Sequence, residues 1–368
     1  MRIALIVLVV LILLLPAGSW YYSSGSRSCA GCHEIRATVD LWQRSTHRNV
    51  PCRECHGSVL TLDPGFHAGN LRRLVTHFGN RAPEQIRIRD AMDLNTLVGR
   101  CARCHSQEFA NWQAGPHSAT YARIFLSQTH NRKRLLMDDC LRCHGMHYDG
   151  PITALVTPVS TTGPWKLADP RLANLPAIPC LACHQIHHPG EPLRKPSDSV
   201  RTPGPLQELM RPSLSLFDRR GLTAVSVKRL PLPPMKEGDR LVRMSPDQRQ
   251  ALCYQCHAPL AGFQVGSGDD RTGLGVHEGL SCLACHQKHM QTTRASCAGC
   301  HPRLSNCGLD VEKMDTTFFS PRSKHNVHFV KCVDCHAKGV PKKRASPGNR
   351  ASSSTEPRAL ASGRLARN

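Results

Sequence analysis

One stretch of the chain is apolar without a break. Arg2 precedes the 13-residue run Ile3 to Leu15, followed by Pro16-Ala17-Gly18-Ser19 and the aromatic trio Trp20-Tyr21-Tyr22. Ile3 to Tyr22 is about 30 Å long as a helix, enough to span the hydrocarbon core of a bilayer. Aromatics at its far end fit an interfacial belt, and Arg2 fits the positive-inside rule. The pattern predicts a membrane anchor over residues 1–22. The alternative is a signal peptide, with Ala17-Gly18-Ser19 as the small-residue cleavage site. Either way, residues 23 onward are expected to be exported, and no Leu-rich lipobox precedes Cys29.

Beyond that run no long segment keeps an apolar period. The pattern therefore predicts a mainly α chain of short helices and loops with much irregular structure. Between Pro189 and Met244 there is neither Cys nor His, and Pro192, Pro196, Pro203, Pro205, Pro212, Pro231, Pro233 and Pro234 crowd the stretch. That composition predicts an extended linker or wrapping arm over residues 191–250. Residues 341–368 are rich in Lys, Arg, Ser and Ala without apolar periodicity and are expected to form a disordered basic tail.

Cysteine spacing changes the picture most. Of 19 Cys, 18 fall into nine Cys-x-x-Cys pairs, and His follows every pair at once. The nine are Cys29/Cys32/His33, Cys52/Cys55/His56, Cys101/Cys104/His105, Cys140/Cys143/His144, Cys180/Cys183/His184, Cys253/Cys256/His257, Cys282/Cys285/His286, Cys297/Cys300/His301 and Cys332/Cys335/His336. A shuffled chain of this composition would hold roughly 0.06 such pentapeptides, and Cys-x-x-Cys-His is the c-type haem attachment signature. Cysteines three apart on a helical turn point the same way, so both thiols reach the vinyl groups of one porphyrin. The next residue supplies the proximal imidazole. Disulfides and zinc sites also use paired cysteines, but neither requires His after the second Cys nine times in nine. The expected cofactor is haem c, nine copies, covalently bound. Cys307 is the odd cysteine, expected as a buried or free thiol.

The motifs group as four, one and four. This predicts a tetrahaem module over residues 23–150, a fifth-haem segment over 151–190 and a second tetrahaem module over 251–340. Only 5% of residues are aromatic, and 27 Gly and 27 Pro interrupt regular structure, so a protein-only core would be thin. Nine porphyrins, about one per 41 residues, would supply the missing apolar mass, and folding should then depend on haem. The formal charge of +21 suggests phosphate binding at first sight. Two propionates per haem, however, bring up to about 18 negative charges for basic side chains to pair with. Nucleic acid is not an expected partner; redox proteins are.

Nine irons also call for second axial ligands, and twelve His lie outside the motifs. The candidates are His47, His117, His130, His147, His187, His277, His289, His325 and His328, with His67, His77 and His188 as spares and Met92, Met137 or Met146 as alternatives. His147, His187 and His289 each stand three residues after a proximal His. A haem's two axial ligands approach from opposite faces, so these three should serve a neighbouring haem and not their own. There is also an internal echo. Trp42-Gln-Arg-Ser-Thr-His47 follows His33, and Trp112-Gln-Ala-Gly-Pro-His117 follows His105, as in duplicated two-haem units. Both Trp are expected to pack.

The run Cys29-Ala-Gly-Cys32-His33-Glu34-Ile35, with Trp42, His47 and Cys52-Arg-Glu-Cys55-His56 behind an N-terminal anchor, resembles the NapC/NrfH-type membrane-anchored tetrahaem cytochromes. The likeness continues to Cys140–His144 and covers residues 1–147. It implies a module on the periplasmic side of the cytoplasmic membrane that takes electrons from the menaquinol pool in anaerobic respiration. Two positions depart from the family: Ile35 stands where Met is common, and no Lys occurs before Lys133, leaving Arg72 and Arg73 as basic substitutes. From about residue 150 the chain resembles multihaem c-type cytochromes generally. The expected function is electron relay, with no catalytic residues. The alternative is a nitrite- or hydroxylamine-type multihaem enzyme, which needs one haem with an open iron and a proton-supplying pocket. Such enzymes often replace the proximal His of the catalytic haem, and all nine motifs here keep it.

Overall fold

In the computed structural model the residues described are 2–23, 30–31, 35–57, 61–62, 64–79, 91–187, 214–221, 223–258, 268–275, 277–287, 289 and 328. The expectations on Cys29, Cys32, His33, His188, Cys297, Cys300, His301, Cys307, His325, Cys332, Cys335, His336 and the tail 341–368 lie outside them. α1 (Arg2–Ser23) takes in the whole apolar run, Pro16 included. Among the described residues it is the one helix long and apolar enough to cross a membrane, and its Ile3, Leu5, Ile6 and Leu8 to Leu15 side chains are exposed.

The remaining helices are short: α2 (Arg36–Gln43), α3 (Cys52–His56), α4 (Pro64–Phe78), α5 (Ala91–Ala102), α6 (Ser106–Ala114), α7 (Tyr121–Phe125), α8 (Gln128–Asn131), α9 (Ile152–Leu155), α10 (Gln250–His257) and α11 (Cys282–Cys285). Helices of this length are marginal on their own, so caps and packing hold them. Thr120 Oγ1 accepts the Arg123 N–H at 3.3 Å to open α7, and Ser281 Oγ accepts the Leu283 N–H at 3.2 Å to open α11. Among the described residues there are also three antiparallel hairpins: β1 (Val156–Thr157) with β2 (Lys166–Leu167), β3 (Ser215–Asp218) with β4 (Thr223–Ser226), and β5 (Met235–Glu237) with β6 (Arg240–Val242). The chain is thus helical with much irregular structure, as its pattern predicts.

The main core lies between α7, the 3₁₀ turn Asp138–Arg142, α9 and the β1–β2 hairpin. It joins Tyr121, Phe125, Leu141, Leu155, Val156, Trp165, Leu167, Leu172 and Ala177. Tyr121 and Phe125 are 1% and 0% exposed, and each fully buried side chain of this size stabilises the fold by roughly 1.5–3 kcal/mol. Four of the chain's aromatics, Tyr121, Phe125, Tyr148 and Trp165, meet here, so this region has a protein core that overall composition does not foretell. Polar clips close it. Asn131 Nδ2 donates to the Phe125 carbonyl at 2.7 Å, and Asp138 Oδ1 accepts the Ile152 N–H at 2.6 Å. Gly145, directly after His144, has φ 80, and a Cβ there would stand 3.1 Å from the Tyr121 ring. Glycine lets the fourth motif turn tightly onto the core.

The described part of the Pro-rich stretch is folded, not extended. Its two hairpins and the 3₁₀ turn Val227–Arg229 pack Val227 and Leu230 against Ala251 of α10. Prolines 231, 233 and 234 punctuate the hairpins instead of straightening the chain.

Candidate functional site

Six of the nine motifs are described, and each begins on a short helix, on a 3₁₀ turn or at the end of α5. Their twelve cysteines are all reduced, so a disulfide reading has no support in the geometry. Among the described residues no three or more His, Cys, Asp or Glu side chains converge on a metal-sized point. A zinc site needs such convergence. A porphyrin brings four nitrogens of its own and asks the protein for axial ligands alone.

Cys104 departs from the picture of haem tethers enclosed by the fold. Eleven of the twelve cysteines are partly buried, whereas Cys104 is exposed, and so is His105 after it. The reason is local. α5 ends at Ala102, and the chain then turns, with the Cys104 N–H donating to the Cys101 carbonyl at 3.2 Å. Cys101 therefore stays within α5, where burial pushes its thiol up to about 11, while Cys104 stands on the turn beyond the helix. The third motif has one thiol held in the protein and one that faces solvent.

The histidines answer the need for axial ligands in pairs. His47 faces His105 with ring centroids 6.1 Å apart, His187 faces His56 at 5.9 Å, and His117 faces His257 at 6.0 Å. His289 faces His184 at 6.1 Å, and His328 faces His286 at 6.0 Å. Each pair joins one motif His to one His outside the motifs. An imidazole nitrogen sits about 2 Å from a metal and the ring centre about 1 Å beyond, so two rings trans across one iron would have centroids about 6 Å apart. The interplanar angles run from 15° to 69°, which is admissible because each ring can rotate about its own metal–nitrogen axis.

Every partner comes from a distant part of the chain. His187 stands three residues after His184 yet faces His56, and the His289 ring, three after His286, faces His184. The two Trp–His echoes also acquire a purpose. Trp42 Nε1 donates to the Val50 carbonyl at 3.2 Å and Trp112 Nε1 to the Ile178 carbonyl at 3.2 Å. Each indole thereby fixes the segment that carries His47 or His117.

Burial keeps these rings in the neutral, metal-binding form. It lowers His117 from its ordinary 6.5 to about 4, helped by His257. It likewise lowers His187 to about 4, helped by His56, and pulls down His47, His286 and His328. His144 is lowered by burial and then by His130, which places His130 beside the fourth motif. His144 is nevertheless exposed. His257 moves the other way, raised chiefly by its hydrogen bond with Asp270 at 2.9 Å.

His147 is 6% exposed, and neither of its ring nitrogens has a hydrogen-bond partner. Burial lowers it to about 4, and the nearby Leu181 carbonyl opposes that pull. Its ring stacks on Phe217 at 3.9 Å and lines a small cavity with Ala91, Leu94, Asn95, Tyr121, Pro176 and Pro179. His277 lies in the turn ahead of Cys282, its carbonyl accepting the Leu280 N–H at 3.1 Å. Of the spares, His67 Nε2 donates to the Thr61 carbonyl at 2.6 Å and His77 packs edge-on against Phe78.

The motifs touch one another across the sequence. Arg100 and Arg103 of the third donate to the Cys55 and Glu54 carbonyls of the second. Arg142 of the fourth donates to the Gln255 carbonyl of the sixth at 2.6 Å, and the Cys143 thiol points to the same carbonyl at 4.0 Å. Cys282 of the seventh likewise points its thiol to Gln250 Oε1 of α10 at 3.8 Å. Sequence reasoning missed these neighbours, and it missed Asp270, which stands 13 positions from His257 with no spacing signal to mark it.

Residues 100–185 match the family cytochrome c554 and c-prime, and residues 241–302 match cytochrome c7 and related cytochrome c. Together with the histidine pairs, these support a multihaem c-type cytochrome. Neither match extends into residues 1–99, and no curated protein or solved structure matches the chain. A cytochrome of this type carries covalent haem c, is exported, and passes electrons to and from redox partner proteins. The reduced motif cysteines and the paired histidines fit that cofactor on the chemistry of their donors.

Proposed function

We propose that the protein is a nonahaem relay, held at the periplasmic side of the cytoplasmic membrane by α1. On this reading it carries electrons from the quinol pool, or from another membrane donor, to periplasmic or extracellular acceptors. The observation that carries the reading is the set of five histidine pairs at 5.9 to 6.1 Å. When bound, haem supplies one-electron chemistry at each site. The cysteines of each motif tether it, the motif His and its partner hold the iron between them, and the basic excess neutralises propionates. Contacts of the sixth motif with the fourth and the seventh, and the closeness of Cys183 of the fifth to Cys253 and Cys256, support a branched arrangement over a single file.

Membrane attachment is supported by exposure. α1 leaves its apolar side chains uncovered, and α4 presents Leu71, Val75 and Phe78 at helical spacing, all exposed. Arg72 lies beside them and is the candidate basic residue for quinol entry.

Pyridine haemochrome should give nine covalent haems per chain, and a value well below nine would overturn the count. Electron paramagnetic resonance of the oxidised protein should be dominated by low-spin signals. Replacing His47 or His117 by Ala should add one high-spin centre each, whereas His67→Ala should add none. A stoichiometric high-spin haem in the unaltered protein would favour the enzyme reading. Arg72→Ala should slow reduction by a menaquinol analogue more than reduction by dithionite.

A further inference from the structure

The sixth motif stands where the fourth and seventh meet it, and one carboxylate addresses its proximal ligand directly. Asp270 Oδ2 lies 2.9 Å from His257 Nδ1, while the Asp270 N–H donates to the His257 carbonyl, also at 2.9 Å. Two bonds thus fix the ring and its main chain together. The neighbouring acid is otherwise engaged. Asp269 accepts two hydrogen bonds from Arg271 at 2.8 and 2.6 Å. Arg271 itself is 6% exposed, donates to the Pro233 carbonyl at 2.8 Å and lies over the Tyr254 ring. The guanidinium is therefore held on Asp269 and leaves the Asp270 side chain to the His257 imidazole, although His286 and His328 also feel its charge. By contrast, the carboxylate nearest His105 is Glu108, at 3.9 Å, beyond hydrogen-bond range.

We propose that Asp270 tunes the redox potential of the haem tethered by Cys253 and Cys256. With Nε2 given to iron, Nδ1 must carry the ring proton and donate it to Asp270. A carboxylate acceptor draws that proton away, makes the imidazole a stronger electron donor, and favours the ferric state over the ferrous one. Asp270 is a positioning residue in this scheme; it does not touch the iron. The inference rests on the reading that this motif holds a bis-histidine haem with His117. A low site at the junction of three motifs would act as a barrier that sorts electrons between branches.

The test uses the full-length holoprotein, matured in a host that attaches haem c. Potentiometric titration of Asp270→Asn should show one haem-equivalent component moved upward by a tenfold change in its oxidised-to-reduced ratio, about 59 mV for one electron. Asp270→Glu, which keeps the charge, should move it much less. Equal shifts in both variants, or no shift in Asn with every haem retained, would overturn the proposal. Should Asp270→Asn mature with a haem missing, the unaltered protein still decides. One ferric low-spin signal should then show the narrower g spread of an imidazolate-like ligand, and uniform signals would sink the idea. Haem stoichiometry is read separately, so a low count challenges the relay while a full count with no shift challenges Asp270 alone.

Discussion

Residues 119–177 and residues 214–289 both carry haem motifs, but they are held together differently. The first region closes around Tyr121, Phe125, Leu141, Leu155 and Trp165, a core built from protein side chains. Among its described residues the second has a smaller apolar cluster of Val227, Leu230 and Ala251, and ion pairs tie it as well. Arg249 bonds Asp247 at 2.7 Å and Arg271 bonds Asp269 at 2.6 Å. Ser281 at the head of α11 donates to the same Asp247 at 2.8 Å. Haem should therefore matter less to the folding of the first region than to that of the second.

Removing a tether should break that contrast open. With Cys282 and Cys285 changed to Ala, the second region should become at least tenfold more sensitive to limited proteolysis, while peptides from 119–177 stay protected. Equal sensitivity of both regions would show that the first core depends on haem too.

Phe125→Ala should cost about 3–5 kcal/mol of stability by denaturant titration, because it empties a fully buried site. Val227→Ala, in the smaller cluster, should cost about 1–2 kcal/mol. Arg271→Ala should cost roughly 1–3 kcal/mol, since it strands the Pro233 carbonyl and the Asp269 carboxylate. Its effect should fall on the second region alone.

Acid should separate the regions by a smaller margin. Burial works against the charge on Asp247 and Asp269, but hydrogen bonds from Arg249 and Ser281 to the first, and from Arg271 to the second, outweigh it and hold both below 3.8. A depressed carboxylate contributes stability that is present above its unfolded pKa and is lost as pH falls through the folded value. The second region should therefore loosen first as pH drops below about 4, seen as earlier exchange of its amide protons.

The apolar helix and the helical or turn setting of the described motifs were legible in the sequence, because a 13-residue apolar run and a three-residue cysteine spacing are local signals. His187 and His289 were expected to turn from their own motifs, and their rings lie beside His56 and His184. Which motif each would serve was not legible: His117 meets His257 through tertiary placement across 140 positions. Nor does the motif spacing tell Cys104 from its eleven counterparts, because its exposure comes from where α5 stops. The hairpins Ser215–Ser226 and Met235–Val242 were hidden because strands of three or four residues are too short to show alternation among so many prolines. Asp270 was hidden for the same reason as the pairs: nothing in its neighbourhood points to the residue it serves.

The pairing of His187 with His56, and of His289 with His184, gives the chain a topology as well as a chemistry. If each pair shares an iron, positions more than a hundred residues apart are closed into interlocking loops. Closing a loop of that length with a disulfide removes freedom from the unfolded chain worth about 4–5 kcal/mol, and a ligand bridge that survives unfolding would act in the same sense. A nick in the backbone between two such points would not release a fragment. The pieces would part only when an imidazole left its iron, so the integrity of the molecule would be set by ligand exchange before peptide hydrolysis.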